Sequence, residues 1–269
     1  MPPQISIVPD NILRSSDRQS LNRIPSTFDW EIWGPMSNVI GELRDSHGLH
    51  RKAWEYGTCV LGLNKLASLD EGSSILATGA GSDRPLFYYA NRCKAVFATD
   101  LYDESQSEGA SRMLTEPQRF APFPYAEDRL HVERMSPLDL RFEDNSFQAA
   151  FCLSSIEQFG SRDNQRLAMQ EMARVLKPGG IVCIVVELIL NNEKHPKYFR
   201  LDGLEKVFFT HKNLKLVGGE LDLRVQKSLF DYPCDLRDPK GRDKSPHIVL
   251  TDGSVIWTSL SMFLQKTGV

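Results

Sequence analysis

Ile75-Leu76-Ala77-Thr78-Gly79-Ala80-Gly81-Ser82-Asp83 is a short apolar run that breaks into a turn built on two glycines. Pro85 follows where a helix would begin, a favoured first-turn position, and Leu86-Phe87-Tyr88-Tyr89-Ala90 continues it. A second apolar run, Ala95-Val96-Phe97-Ala98, ends at Asp100. Strand, glycine turn, helix and strand thus fit within about thirty residues, the size of one βαβ unit.

The alternation resumes after a polar stretch containing Pro117, Pro122 and Pro124. Phe147 to Leu153 is a mostly apolar strand that opens into Ser154-Ser155-Ile156-Glu157. Asp163 can cap a helix whose Leu167, Ala168, Met172, Val175 and Leu176 share one face. Lys177-Pro178-Gly179-Gly180 stops it, and Ile181 to Val186 is a continuous strand. Unbroken apolar runs of this kind suit parallel strands covered on both faces. The spacing predicts a doubly wound α/β sheet.

Working outward, residues 1 to about 40 read as an irregular arm with Phe28, Trp30 and Trp33, and His50 to Leu69 as a helix. Leu214–Val217 and Val255–Leu264 read as strands. Between them Glu220 to Gly253 is polar, with Pro233, Pro239 and Pro246 and nearly balanced charges. It is either a solvated loop or, because so long a loop is uncommon without a function, a substrate-contacting one. The expected division is an arm and lid helix over 1–70 and a sheet domain over 71–269, with the loop at about 220–253.

The chain has 269 residues, 41% of them hydrophobic and 25% charged, an ordinary composition for one large domain. Its 32 basic and 35 acidic side chains give a net charge of −3, with no surplus of cations for a nucleic acid. No apolar run reaches the ~18–20 residues of a membrane span. The start, MPPQISIVPD, lacks the pattern of a signal peptide. Five scattered cysteines without a C-x-x-C pair predict neither a disulfide framework nor a zinc site. A reduced, cytoplasmic protein is expected.

Ligands of open parallel sheets sit beyond the carboxyl ends of the strands. Glycine at 79 and 81 permits a sharp turn and a close ligand. Asp100 lies 21 positions after Gly79, near the ~20-residue offset of an acid that grips ribose hydroxyls. A dinucleotide site would want a third glycine near Arg84, where a pyrophosphate meets the helix start. Asp83 precedes that place, and its carboxylate repels pyrophosphate but attracts a cation. S-adenosylmethionine, with a ribose, an ammonium and a sulfonium, is therefore favoured over NAD.

These stretches resemble class I S-adenosylmethionine-dependent methyltransferases. Ile75–Gly81 and Ala98-Thr99-Asp100-Leu101-Tyr102 are similar to that family's first two motifs. Phe142-Glu143-Asp144-Asn145-Ser146-Phe147 resembles the segment before its fourth strand, and Ala173 to Gly180 the turn before its fifth. The likeness covers residues 50–190. It implies a Rossmann-like, mostly parallel sheet with a terminal antiparallel strand pair.

Position by position, the resemblance implies that Gly79, Ala80 and Gly81 line the methionine part of S-adenosyl-L-methionine. Asp100 takes its ribose hydroxyls, and Leu101 packs on adenine. Met135-Ser136 falls where relatives often carry an adenine-reading acid, and Ser154 and Ser155 lie near the methyl. The acid usual in the first motif is Ala77 here, and Asp83 stands for the third glycine, so Asp83 is the substitute partner for the ammonium. Trp54 and Tyr56 are candidates to close over the cofactor, or simply pack their helix.

Methyl transfer is an in-line displacement helped by positioning and, for a hydroxyl acceptor, by a base. His247 is the first candidate base, the plainer alternative being a histidine that anchors the loop. Glu157 is the second, or else a helix-start carboxylate. Gln158 stands where many relatives carry histidine. Glu187 faces an acceptor or solvent, and His195 is a loop residue. No carboxylate cluster for a metal is evident, so none is assigned. The favoured function is methylation of a small-molecule or glycan hydroxyl. An amine acceptor, an NAD-dependent oxidoreductase and a non-catalytic methyltransferase-like subunit are the alternatives. Nothing in the sequence fixes the oligomeric state.

Overall fold

The structure is a computed structural model that describes residues 3–14, 18, 20–31, 34–45, 48–103 and 109–268. Trp33 lies outside these residues. The helices that frame the site are α1 (Pro35–Glu42), α2 (Arg51–Leu66), α3 (Arg84–Ala90) and α4 (Arg162–Val175). The strands are β1 (Ser6–Val8), β2 (Ser74–Thr78), β3 (Ala95–Asp100), β4 (Leu130–Arg134), β5 (Phe147–Leu153) and β6 (Leu176–Ile189) in the first part. Strands β7 (Leu214–Leu216), β8 (Arg224–Gln226), β9 (Cys234–Asp235), β10 (Val249–Thr251) and β11 (Ile256–Lys266) follow.

The main sheet runs β4-β3-β2-β5-β6-β11-β10-β9, with β7 also paired to β11. Strands β2 to β6 are parallel, and β11 lies antiparallel to β6, β7 and β10. The doubly wound α/β sheet with antiparallel strands at its end is therefore present.

The period-two geometry of strands divides each apolar run between the two sheet faces. Ile75, Ala77, Ala149, Phe151, Cys183 and Val185 pack with Val60, Leu63, Leu86 and Phe87 from α2 and α3. Their neighbours Leu76, Ala150, Cys152, Val182 and Ile184 pack instead with Met169 and Met172 from α4. Both faces are covered, so an alternating polar pattern would have left unpaired polar groups inside. Helix α2, expected to act as a lid, lies on this sheet: a Cβ at Gly62 would come within 2.0 Å of the Phe263 ring on β11. Only a residue without a side chain allows that approach.

Several local expectations change. The cap of α4 is Ser161, whose hydroxyl accepts the Asn164 N–H at 3.2 Å, while Asp163 falls inside the helix. The arm is not irregular throughout, because β1 pairs in parallel with β8, matching Ser6–Val8 to Arg224–Gln226. The polar segment 220–253 is likewise not one loop but carries β8, β9, β10 and two short helices, Lys227–Asp231 and Gly241–Lys244. Among the described residues no helix is long and apolar enough to cross a membrane.

Candidate functional site

Strands β2, β3 and β5 end side by side, and their carboxyl ends build the site. Gly79 and Gly81 both adopt left-handed backbone, with φ of 59° and 46°. Gly79 also faces a crowded neighbour, since a Cβ there would sit 2.6 Å from the Ser155 Cβ. Its carbonyl accepts the Ser155 hydroxyl at 2.7 Å, which ties the glycine turn to the end of β5. The Gly81 N–H donates to Asp100 Oδ2 at 3.0 Å and ties the same turn to β3.

Above these ends lies a cavity of about 380 Å³. Gly79, Gly81, Asp100, Leu101, Ser136 and Ser155, all named from the sequence, line it together. Met113, Phe120, Leu138 and Phe159 give it apolar walls, and Leu101 stays 48% exposed, an apolar plate at its rim. One carboxylate at a strand end, glycine backbone on one side and apolar walls on the other suit a nucleoside: a diol to the acid, a flat base between side chains. The wall residues after β3 were missed, because Met113 and Phe120 come from a proline-rich stretch with no periodicity to read.

Other expected residues stand elsewhere. Ala80 is buried in the turn, its N–H donating to Thr99. Met135 is buried behind the wall, its N–H on the Asp100 carbonyl. Trp54 is fully buried with Met36, Ile40 and Ala53, and its indole N–H donates to Asp29 Oδ2 at 2.8 Å. It packs α2 rather than closing over a ligand.

Ser154, at φ 51°, turns its hydroxyl away to Glu55 Oε1 at 2.9 Å. Glu157 is 2% exposed, and its Oε1 accepts the backbone N–H of Glu187 at 2.6 Å. Burial, reinforced by the neighbouring Glu187 carboxylate, pushes its pKa up to about 8. His247 caps nothing in the cavity: its ring stacks on His50 at 4.0 Å, across a bridge joining the start of α2 to the end of the 220–253 segment. Burial and the nearby His50, Arg51 and Arg242 lower its pKa to about 4. Neither expected base therefore borders the cavity.

A buried ionic network fills the space beside these groups. Arg51 reaches Glu55 at 2.8 Å and Glu187 at 2.6 Å, and the Ser259 hydroxyl donates to Glu55 at 2.6 Å. Burial opposes the Glu55 charge, but Lys52 and Arg51 hold its pKa at about 2. Asp83, expected to face a ligand's ammonium, instead accepts the Tyr56 hydroxyl at 2.9 Å and pairs with Lys52 at 3.4 Å. Burial raises its pKa to about 6 against the pull of Lys52. The signal in the sequence was the spacing of Glu55 after Arg51 and Lys52, four and three residues on along one helix.

A family model described as a methyltransferase domain matches residues 76–184. Among solved structures, the YcgJ protein of Bacillus subtilis is 18% identical, covering 78% of this chain and 98% of that one, with a TM-score of 0.49. A putative methyltransferase from Bacillus halodurans C-125 is 17% identical over 78% of this chain and 99% of its own, with a TM-score of 0.47. The [4+2]-cyclase SpnF, 15% identical, covers 92% of this chain and 98% of its own at a TM-score of 0.50, a likeness of fold alone. The glycine turn and the ends of the parallel strands around it thus lie within the part of the chain that matches a methyltransferase domain.

Proposed function

We propose that the chain binds S-adenosyl-L-methionine in the 380 Å³ cavity and transfers its methyl group to a hydroxyl of a small-molecule or glycan acceptor. The observation that carries this reading is the convergence of Gly79, Gly81, Asp100, Leu101, Ser136 and Ser155 on one space. The residues fit the adenosyl group. Asp100 is half-buried at the cavity rim and offers carboxylate oxygens to a ribose diol. Gly81 has open space where a Cβ would stand, so backbone meets the ligand. Leu101 and Leu138 supply apolar faces for the base, and Ser136 a hydroxyl at its edge. When bound, S-adenosyl-L-methionine supplies an electrophilic methyl group on sulfur.

What the chain contributes is mainly position. Ser155 and Gly79 fix the cavity floor through their 2.7 Å hydrogen bond, and Asp100 fixes the opposite wall through Gly81. Rigid placement of this kind shortens the approach of acceptor to methyl, where much of the acceleration of a displacement lies. The apolar walls exclude water from the electrophile. Incubation with methyl-labelled cofactor and an acceptor panel, read by mass spectrometry, tests the reading. Transfer to hydroxyl acceptors supports it, and transfer to amines alone replaces the O-acceptor assignment.

A second reading rests on the displacement of His247 and Glu157 from the cavity: an adenosyl-binding protein of this fold that does not transfer methyl. The fold neighbour SpnF is a [4+2]-cyclase, a different reaction on a similar fold. Binding of S-adenosylhomocysteine without labelled product in any acceptor screen favours it.

A further inference from the structure

Helix α2 grips the end of β5 at two consecutive residues. The Lys52 ammonium donates to the carbonyl of Leu153 at 3.0 Å, and Glu55 Oε1 accepts the Ser154 hydroxyl at 2.9 Å. The same carboxylate oxygen accepts the Ser259 hydroxyl from β11 at 2.6 Å and the Arg51 guanidinium at 2.8 Å. Glu55 is fully buried, and the charges of Lys52 and Arg51 keep it ionised. An ionised carboxylate is a stronger acceptor than a neutral oxygen, so the Ser154 hydroxyl is held firmly.

Ser154 needs such a hold. Its φ of 51° is left-handed backbone, which glycine adopts freely and a residue with a side chain only at a cost. A hydrogen bond to a charged group is of a size to offset that cost. The conformation matters for the residue that follows. Ser155 lines the adenosyl cavity, and its hydroxyl donates to the Gly79 carbonyl at 2.7 Å. The fit there is close, since a Cβ on Gly79 would stand 2.6 Å from the Ser155 Cβ. Were residue 154 to relax to extended or right-handed backbone, the next peptide would swing and carry Ser155 away from the glycine turn.

We propose that Glu55 is a positioning residue: through the Ser154 hydroxyl it keeps the end of β5 in its left-handed turn, and so keeps Ser155 against Gly79 at the floor of the adenosyl cavity. The inference rests on the proposed adenosyl cavity and adds what holds its floor in place. Helix α2, which touches no ligand through Glu55, then acts on binding from behind the sheet edge. Its effect runs through the backbone conformation of one residue, and a residue that tolerates that conformation unaided makes the carboxylate dispensable for binding.

The test is calorimetric titration of the full chain and four variants with S-adenosylhomocysteine. Ser154→Ala and Ser154→Gly lose the same hydrogen bond to Glu55, so a role confined to stability affects their binding alike. The inference separates them. Ser154→Ala weakens binding by about tenfold, the scale of one left-handed residue left unsupported, whereas Ser154→Gly stays within about threefold of the parent chain. Glu55→Gln weakens binding as Ser154→Ala does, and adding Ser154→Gly to it restores at least about fivefold of the loss. The two Ser154 variants decide the matter even where Glu55→Gln fails to fold. Equal affinities for Ser154→Ala and Ser154→Gly overturn the inference and leave the cavity reading in place. Failure of the parent chain to bind S-adenosylhomocysteine overturns both.

Discussion

The backbone N–H of Gly81 and the carboxylate of Asp100 stand 3.0 Å apart, so the glycine turn after β2 is fastened to the end of β3 by a charge-assisted hydrogen bond. One oxygen of Asp100 holds the turn and the other accepts the Tyr102 N–H weakly at 3.4 Å, which leaves lone pairs for a diol. Asp100→Ala removes both functions. The affinity for S-adenosylhomocysteine falls at least about tenfold, the equivalent of a charged hydrogen bond of about 1.5–3 kcal/mol. Calorimetry checks this, and an unchanged dissociation constant removes Asp100 from the site.

The two glycines differ in what surrounds them. Both need left-handed backbone, which costs another residue about 1–2 kcal/mol. A methyl at Gly79 also collides with Ser155 and Phe159, whereas one at Gly81 meets nothing within 4 Å. Gly79→Ala therefore lowers the melting temperature further than Gly81→Ala. Equal melting temperatures for the two variants contradict the close packing at Gly79.

Glu157 makes stability depend on pH. In the unfolded chain a glutamate loses its proton near 4.5, and in the fold near 8. Between those values the folded state holds a proton that the unfolded state lacks, so this contribution is fully present below pH 4.5 and is lost as pH rises toward 8. Glu157→Gln keeps a neutral side chain throughout. Urea unfolding at acid and mildly alkaline pH shows a smaller loss of stability for the variant, by several kcal/mol on a scale of about 1.4 kcal/mol per pKa unit. The same pH slope in both proteins rules out a proton on Glu157.

His247 behaves in the opposite sense. Its folded pKa of about 4 lies below the ordinary 6.5, so its contribution is present above 6.5 and lost as pH falls toward 4. NMR titration shows its ring neutral at pH 6, and His247→Gln leaves adenosyl-ligand affinity within about twofold, as expected of a group that does not touch the ligand. A midpoint near 6.5 contradicts the buried, stacked ring.

Trp54→Phe loses the indole hydrogen bond to Asp29 and leaves that carboxylate a partner short. Stability drops by about 1–3 kcal/mol while ligand affinity is retained. Lost affinity in a stably folded variant restores Trp54 to the site.

The strands around the glycine turn are legible because their signals are local. The run Phe147–Leu153 matches β5, and Asp100 ends β3 as its spacing demands. The expected site residues split along the same line. Gly79, Gly81, Asp100 and Leu101 lie within or beside one βαβ unit, whereas the surroundings of Asp83 and His247 depend on partners far away in the chain. Lys52 reaches Asp83 from another helix, and His247 stacks on a residue nearly two hundred positions earlier. The pairing of β1 with β8 and the burial of Trp54 against α1 are equally non-local. No periodicity or spacing encodes such contacts, since they depend on how finished elements pack.

Everything in the functional reading turns on what the cavity between Asp100 and Ser155 accepts. Titration of the purified chain with S-adenosylhomocysteine and, separately, with NADH tests that directly. The account predicts saturable one-to-one binding of S-adenosylhomocysteine, abolished or weakened by Asp100→Ala, and no heat with NADH. Binding of NADH alone, or S-adenosylhomocysteine binding untouched by Asp100→Ala, contradicts it.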